Sequence, residues 1–185
     1  MNSPLRAGKI KAMKILVAGM GNVLRGDDAF GIRVVEALEQ RGALPAGVRL
    51  YEAGIAGIPF VQELMDGYDT LIIADAVDCQ AEPGSLFVLE PNEAKPTELD
   101  LGRVHQSMVD AHYADPSKVL LLARALKVCP PQVFIVGCQP AFVEEAFEGM
   151  TPAVERAVPL AVEQILLLLE NLPTATTVTQ DASAQ

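Results

Sequence analysis

Four apolar residues in a row, Leu71 to Ala74, lead straight into a carboxylate, Asp75. Behind Thr70 this run reads as a strand with no polar face. Such a strand has to be covered on both sides, which is the situation of a parallel sheet held between helices. Ile15 to Ala18 form a second run of the same kind. The chain therefore reads as an open sheet with its apolar strands inside, and the other segments supply what covers them.

Strand-like and helix-like stretches alternate accordingly. Strands are expected at 14–18, 48–52, 70–74, 85–89 and 132–137. Helices are expected at about 28–41, 58–65, 115–127 and 151–171. Ile32, Val35 and Leu38 recur at helical spacing, and Gly42 stands where a C-terminal cap belongs. Ile58, Val61, Leu64 and Met65 are assigned to one side of the second helix. Asp115-Pro116 and Thr151-Pro152 are each a cap followed by proline in the first turn. Pro159 is expected to kink or break the last helix. The short turn Glu82-Pro83-Gly84 suggests that strand 85–89 runs antiparallel to strand 70–74. Residues 91–114 are polar and irregular. In all, this is a βαβ alternation around a mostly parallel sheet with helices on both faces.

The 185 residues suffice for one domain with a substantial core. Residues 1–12 and 173–185 read as flexible tails around a single domain at 13–172, and Met13 is a second possible start. A net charge of −10 argues against nucleic acid as a partner. No apolar run approaches the roughly 18 residues of a membrane span. The three cysteines, Cys79, Cys129 and Cys138, form no CxxC pair, which fits a reduced cytoplasmic protein.

In sheets of this class the ligand crevice lies beyond the carboxyl ends of the strands. The loops 19–28, 52–57 and 75–78 should meet there. The first of them, GMGNVLRGDDAFG at 19–31, starts like a phosphate-binding loop. Leu24, however, occupies the third glycine position of G-x-G-x-x-G, and no Lys-Ser or Lys-Thr follows. Two acids, Asp27 and Asp28, would repel a phosphate. One of them is expected to cap the following helix, which leaves the other free to face the crevice.

Asp75 at the end of a buried run is costly unless it is hydrogen-bonded, paired or bound to a cation. Alone it would be a structural acid satisfied by loop amides; beside Asp28, a shared cation is the better account. Asp78 is the weaker candidate, and the unpaired cysteines are more ordinary as small buried hydrophobes. The two histidines, His105 and His112, both fall in 91–114, each either solvent-exposed or a third ligand. Two carboxylates and an imidazole suit a borderline ion such as nickel or zinc. Asn22 either orients the loop or favours its turn. No Ser–His or Cys–His arrangement points to an acyl-enzyme.

These residues resemble the hydrogenase maturation proteases. Members of that family are cytoplasmic endopeptidases that trim a C-terminal extension from the large subunit of nickel–iron ([NiFe]) hydrogenases. The resemblance covers roughly 13–169. It rests on ILVAGMGNVLRGDDAFG and LIIADAVD, with support from VHQ at 104–106, PGSLFVL and TPAVERAVPLAVEQIL. It implies a three-layer α/β/α sandwich around a five-stranded, mostly parallel sheet with one antiparallel strand. It also implies a metal-binding triad of Asp28, Asp75 and His105, which selects His105 over His112. The metal is nickel already installed in the partner, the hydrogenase large-subunit precursor. Zinc or cadmium is expected to substitute in the free protein. Water would be activated by the metal or by a carboxylate acting as base.

Two departures concern the particular hydrogenase. Family members often carry a Thr-containing glycine loop where this chain has Glu52-Ala53-Gly54-Ile55-Ala56-Gly57. They often continue Gly-Leu after His-Gln, where this chain has Ser107-Met108. A non-catalytic nickel-binding chaperone that checks the precursor is the alternative function.

Overall fold

A computed structural model describes residues 10–91, 115–143, 149–172 and 175–177, with backbone alone for 10–12 and 175–177. The elements are β1 (Ile10–Ala12), β2 (Ile15–Met20), a short 3-10 turn (Gly26–Ala29), α1 (Phe30–Arg41), β3 (Val48–Gly54), α2 (Gly57–Leu64) and β4 (Thr70–Ala76). There follow β5 (Leu86–Leu89), α3 (Pro116–Ala125), β6 (Gln132–Cys138), α4 (Pro152–Asn171) and β7 (Ala175–Thr177).

Five strands form one sheet in the order β3-β2-β4-β6-β5. The first four are parallel, and β5 runs antiparallel. Alternation along each strand sorts the core into two layers. Val17 of β2 and Ile72 and Ala74 of β4 face α1 and α4, where Phe30, Val34, Leu38, Ala161 and Ile165 meet them. Leu16, Ala18, Leu71 and Ile73 face the opposite layer, formed by Phe60 and Leu64 of α2 and Leu120 and Ala123 of α3. Because both faces are used, β2 and β4 carry no polar face. Each fully buried Leu, Ile or Phe contributes about 1.5–3 kcal/mol, so the two central strands with their covering helices hold the domain together.

The expected architecture, a three-layer α/β/α sandwich with one antiparallel strand, is the one observed. Four details differ. Strand β5 is antiparallel to β6 rather than to β4: Leu86 pairs with Cys138 and Leu89 with Ile135. The place beside β4 is already taken by β6, whose seven residues match Thr70–Ala76 in parallel register. In α2 the anchor is Phe60, with Val61 and Leu64; Ile58 and Met65 are exposed. The larger aromatic ring, stacked on Tyr51 with centroids 5.8 Å apart, sets which side of this short helix turns inward.

Helix α4 continues unbroken through Pro159. Pro159 and Glu155, whose carbonyl loses its helical partner, are both exposed, so water can take the lost bond. Finally, β1 and β7, from the two expected tails, pair antiparallel. Met13 and Leu172 lie in the same hydrophobic cluster, so the chain enters and leaves the domain at neighbouring points.

Candidate active site

The chain runs from β2 to β3 on one side and then crosses to β4 on the other, so the switch of direction falls between β2 and β4. This is where open α/β sheets bind ligands. Asp28 follows β2, and Asp75 is the penultimate residue of β4.

Glycines bring these two together, although not by holding an anion. A Cβ on Gly31 would lie 2.1 Å from the Ala74 carbonyl oxygen and 2.3 Å from that of Met20. A Cβ on Gly19 would lie 2.3 Å from the Gly31 oxygen. The bare backbone at both positions lets the start of α1 settle directly on the ends of β2 and β4. The loop then closes on itself at Gly21, whose φ is +120° and whose Cβ would collide with the Asp28 carbonyl at 1.8 Å. The loop 19–31 is thus a close-packing device that presents a carboxylate.

Asp28 Oδ2 accepts a hydrogen bond from the Asn22 backbone N–H at 3.0 Å, while Asn22 Oδ1 accepts from Leu24 N–H at 3.0 Å. Asn22 therefore serves both the turn and the acid. Asp28 and Asp75 line one cleft of about 490 Å³, together with Gly21, Arg25, Ile55 and Asp115. The three loops expected to meet at one edge all contribute to it. Burial lifts the Asp28 carboxyl above its ordinary range, against the pull of the Asn22 N–H and the Arg25 guanidinium. Asp75 is only 7% exposed. Burial lifts its carboxyl well above the usual value, and the Asp28 charge adds to this; a backbone bond at Ala76 opposes it, and Asp115 pushes the same way as Asp28. Burial thus disfavours the charged form of both acids, and the Asp28 charge disfavours it further at Asp75.

Asp27 has a different role. It is fully buried and caps neither the 3-10 turn nor α1, contrary to expectation. Its carboxylate accepts from Ala141 N–H, Phe142 N–H, Thr151 N–H and Thr151 Oγ1 at 2.6–3.0 Å. Asp78 is exposed and holds its own turn: it accepts from Gln80 N–H and from Gln139 Nε2, which keep its carboxyl below the ordinary range. Burial first, and then Asp27, pushes the Cys138 thiol up to about 11, so it remains a protonated hydrophobe. Cys79 and Cys129 are also free thiols.

His105 and His112 lie outside the described residues. Among the described residues, no three His, Cys, Asp or Glu side chains are grouped to hold a metal ion. Arg25 and Asp115, two charges that bear on the pair, and Gln139 do not emerge from the sequence as site residues. Arg25 sits inside loop 19–31 and is the findable one. Asp115 reads only as a helix cap, which it is, accepting from Ser117 N–H at 2.7 Å.

Fold and cleft together define an α/β/α protein with coupled carboxylates at its topological switch point. The model of the hydrogenase maturation protease family matches residues 32–167. The hydrogenase 2 maturation protease of Escherichia coli is 35% identical over 160 residues, 86% of this chain and 92% of that protein. The hydrogenase expression/formation protein HupD of Rhizobium leguminosarum bv. viciae is 31% identical over 184 residues, 100% of this chain and 88% of that one. Among solved structures, the hydrogenase maturating endopeptidase HybD from E. coli superposes with a TM-score of 0.63 at 33% identity, covering 85% of this chain and 93% of its own. The chain belongs to the hydrogenase maturation protease family and is an endopeptidase, hence a hydrolase. No helix among the described residues is long and apolar enough to cross a membrane.

Proposed function

We propose that this protein removes a C-terminal extension from the large-subunit precursor of a nickel–iron hydrogenase, in the cytoplasm. In this reading it recognises nickel already held by the precursor through Asp28, Asp75 and His105. The observation that carries the proposal is the Asp28–Asp75 pair: a nearly buried acid charged against a second acid in one open cleft. Such a pair is costly in the free protein and is relieved by a cation with vacant coordination positions. Leu89 and Asp115, which precede and follow the stretch holding His105 in the sequence, both line this cleft.

Nickel in the substrate would dock the adjacent scissile peptide against the carboxylates. A water then attacks the peptide carbonyl, with a carboxylate as base. Zinc or cadmium would occupy the same ligands in the free protein and inhibit.

The test is to incubate the purified protein with nickel-loaded and nickel-free precursor and to follow precursor mass. Cleavage of the loaded form alone is the expected result. Binding without loss of mass would replace the peptidase by a nickel-checking chaperone, and equal cleavage of both forms would remove nickel from recognition.

A further inference from the structure

Asp28 lies in one loop of the cleft and Asp75 near the end of β4, just before another, and each of these loops has ties outside itself. Both are tied to one short segment, residues 139–142, which follows β6 and contributes no acid. On one side, Asp27 is bound to it three times. Its carboxylate accepts from Ala141 N–H at 2.8 Å and Phe142 N–H at 3.0 Å, and its own N–H donates to the Phe142 carbonyl at 2.9 Å. Thr151 closes the same carboxylate from the start of α4, through its N–H at 2.6 Å and its hydroxyl at 3.0 Å. Asp28 is the next residue.

On the other side stands Gln139, a nearly buried polar side chain with every polar atom used. Its Oε1 accepts from Cys79 N–H at 2.7 Å and Ala81 N–H at 3.2 Å. Its Nε2 donates to Asp78 Oδ1 at 3.1 Å and to the Pro140 carbonyl at 3.2 Å. The loop held in this way leaves β4 after Ala76, the residue that follows Asp75.

We propose that Gln139 and Asp27 are positioning residues: through the shared segment 139–142 they fix both acid-bearing loops against one frame, and so set the spacing of Asp28 and Asp75 before substrate arrives. The proposal rests on the reading of Asp28 and Asp75 as the working acids. Pre-positioning of this kind matters because small misplacements of reacting groups carry large rate penalties. Gln139 suits the task better than an acid would. One end of its amide meets two N–H donors while the other meets two oxygens, so its orientation is determined.

The experiment compares Gln139→Met, Thr151→Val and Asp75→Asn in precursor processing by the full chain, with circular dichroism and thermal unfolding as controls. Gln139→Met keeps the volume and loses all four bonds. It is expected to lower kcat about tenfold or more, with KM within about twofold of wild type. Thr151→Val removes only the hydroxyl bond to Asp27 and is expected to lower kcat about two- to threefold; it carries the test if Gln139→Met fails to fold. Gln139→Glu should be as slow as Gln139→Met, because a carboxylate then faces Asp78.

A structural role alone would lower the folded fraction and the melting temperature while leaving kcat per folded molecule unchanged, and this result overturns the proposal. So does a folded Gln139→Glu variant with the wild-type kcat. If Asp75→Asn processes precursor at the wild-type rate, the functional reading fails instead, and the two failures are thereby distinguished.

Discussion

Asp27 and Asp28 are neighbours in the chain and opposites in the structure. Asp27 is fully buried and surrounded by four donors. Asp28 is half-buried, has one N–H donor, and shares a cleft with a second acid. The first carboxylate has its acceptor oxygens filled by protein donors, without any further partner. Asp28 and Asp75 are not so provided: burial raises both, and the Asp28 charge raises Asp75 further. The contrast separates a carboxylate that builds the protein from carboxylates that wait for something. It rests on how many donors each acid has, not on how deeply it is buried.

The comparison breaks most visibly in activity. Asp75→Asn and His105→Ala are each expected to lower precursor processing by more than about a hundredfold while the fold persists, as loss of a ligand should. His112→Ala should leave most of the activity. A processing assay with mass detection decides; equal losses at His105 and His112 would reassign the third ligand.

A second prediction exchanges the roles. Asp27→Ala leaves the Ala141, Phe142 and Thr151 N–H groups without their acceptor. It should cost roughly 3–5 kcal/mol of stability, measured by urea unfolding. Asp28→Ala should cost far less, because it removes one hydrogen bond and relieves repulsion on Asp75. Equal costs would remove the distinction between the two acids.

A third, smaller effect follows from proton linkage. The Asp75 carboxyl is raised in the folded state from an ordinary value of 3.8, so the native protein binds more protons than the unfolded one. Stability then falls as pH rises from the unfolded pKa to the folded one. Above that window the loss is complete, and it amounts to about 1.4 kcal/mol for every pH unit the window spans. Asp75→Asn lacks this penalty. Its melting temperature should exceed that of wild type, by a margin that widens as pH rises above the ordinary carboxyl value of 3.8. A constant margin would mean that the Asp75 pKa is not raised.

The sheet is legible in the sequence because its signal is local. Leu71–Ile72–Ile73–Ala74 is apolar at every position, and only a strand covered on both faces accounts for that. The site is legible in part: Asp28 and Asp75 follow from a carboxylate-bearing loop and an acid ending a buried run, each read within a few residues. What escapes the sequence depends on distant partners. Nothing near Asp27 indicates that it closes on Thr151, 124 residues later, so local reasoning assigns one acid of the pair to helix capping. The partner of β5 is misread because its turn points back toward β4, whereas β6, still to come in the chain, fills the intervening place. Ile58 and Met65 are assigned inward because spacing alone does not weigh them against Phe60, whose ring reaches Tyr51 on β3.

The central claim is that Asp28 and Asp75 form a pair completed by a cation. Calorimetric titration of zinc or cadmium into wild type and Asp75→Asn tests it most directly, with circular dichroism to confirm folding. Wild type should take up one ion per chain and release protons as it does so, because the ion displaces the proton that the raised Asp75 carboxyl holds. Asp75→Asn should bind more weakly by at least about tenfold and release fewer protons. A folded Asp75→Asn variant with wild-type affinity and proton release would contradict the claim.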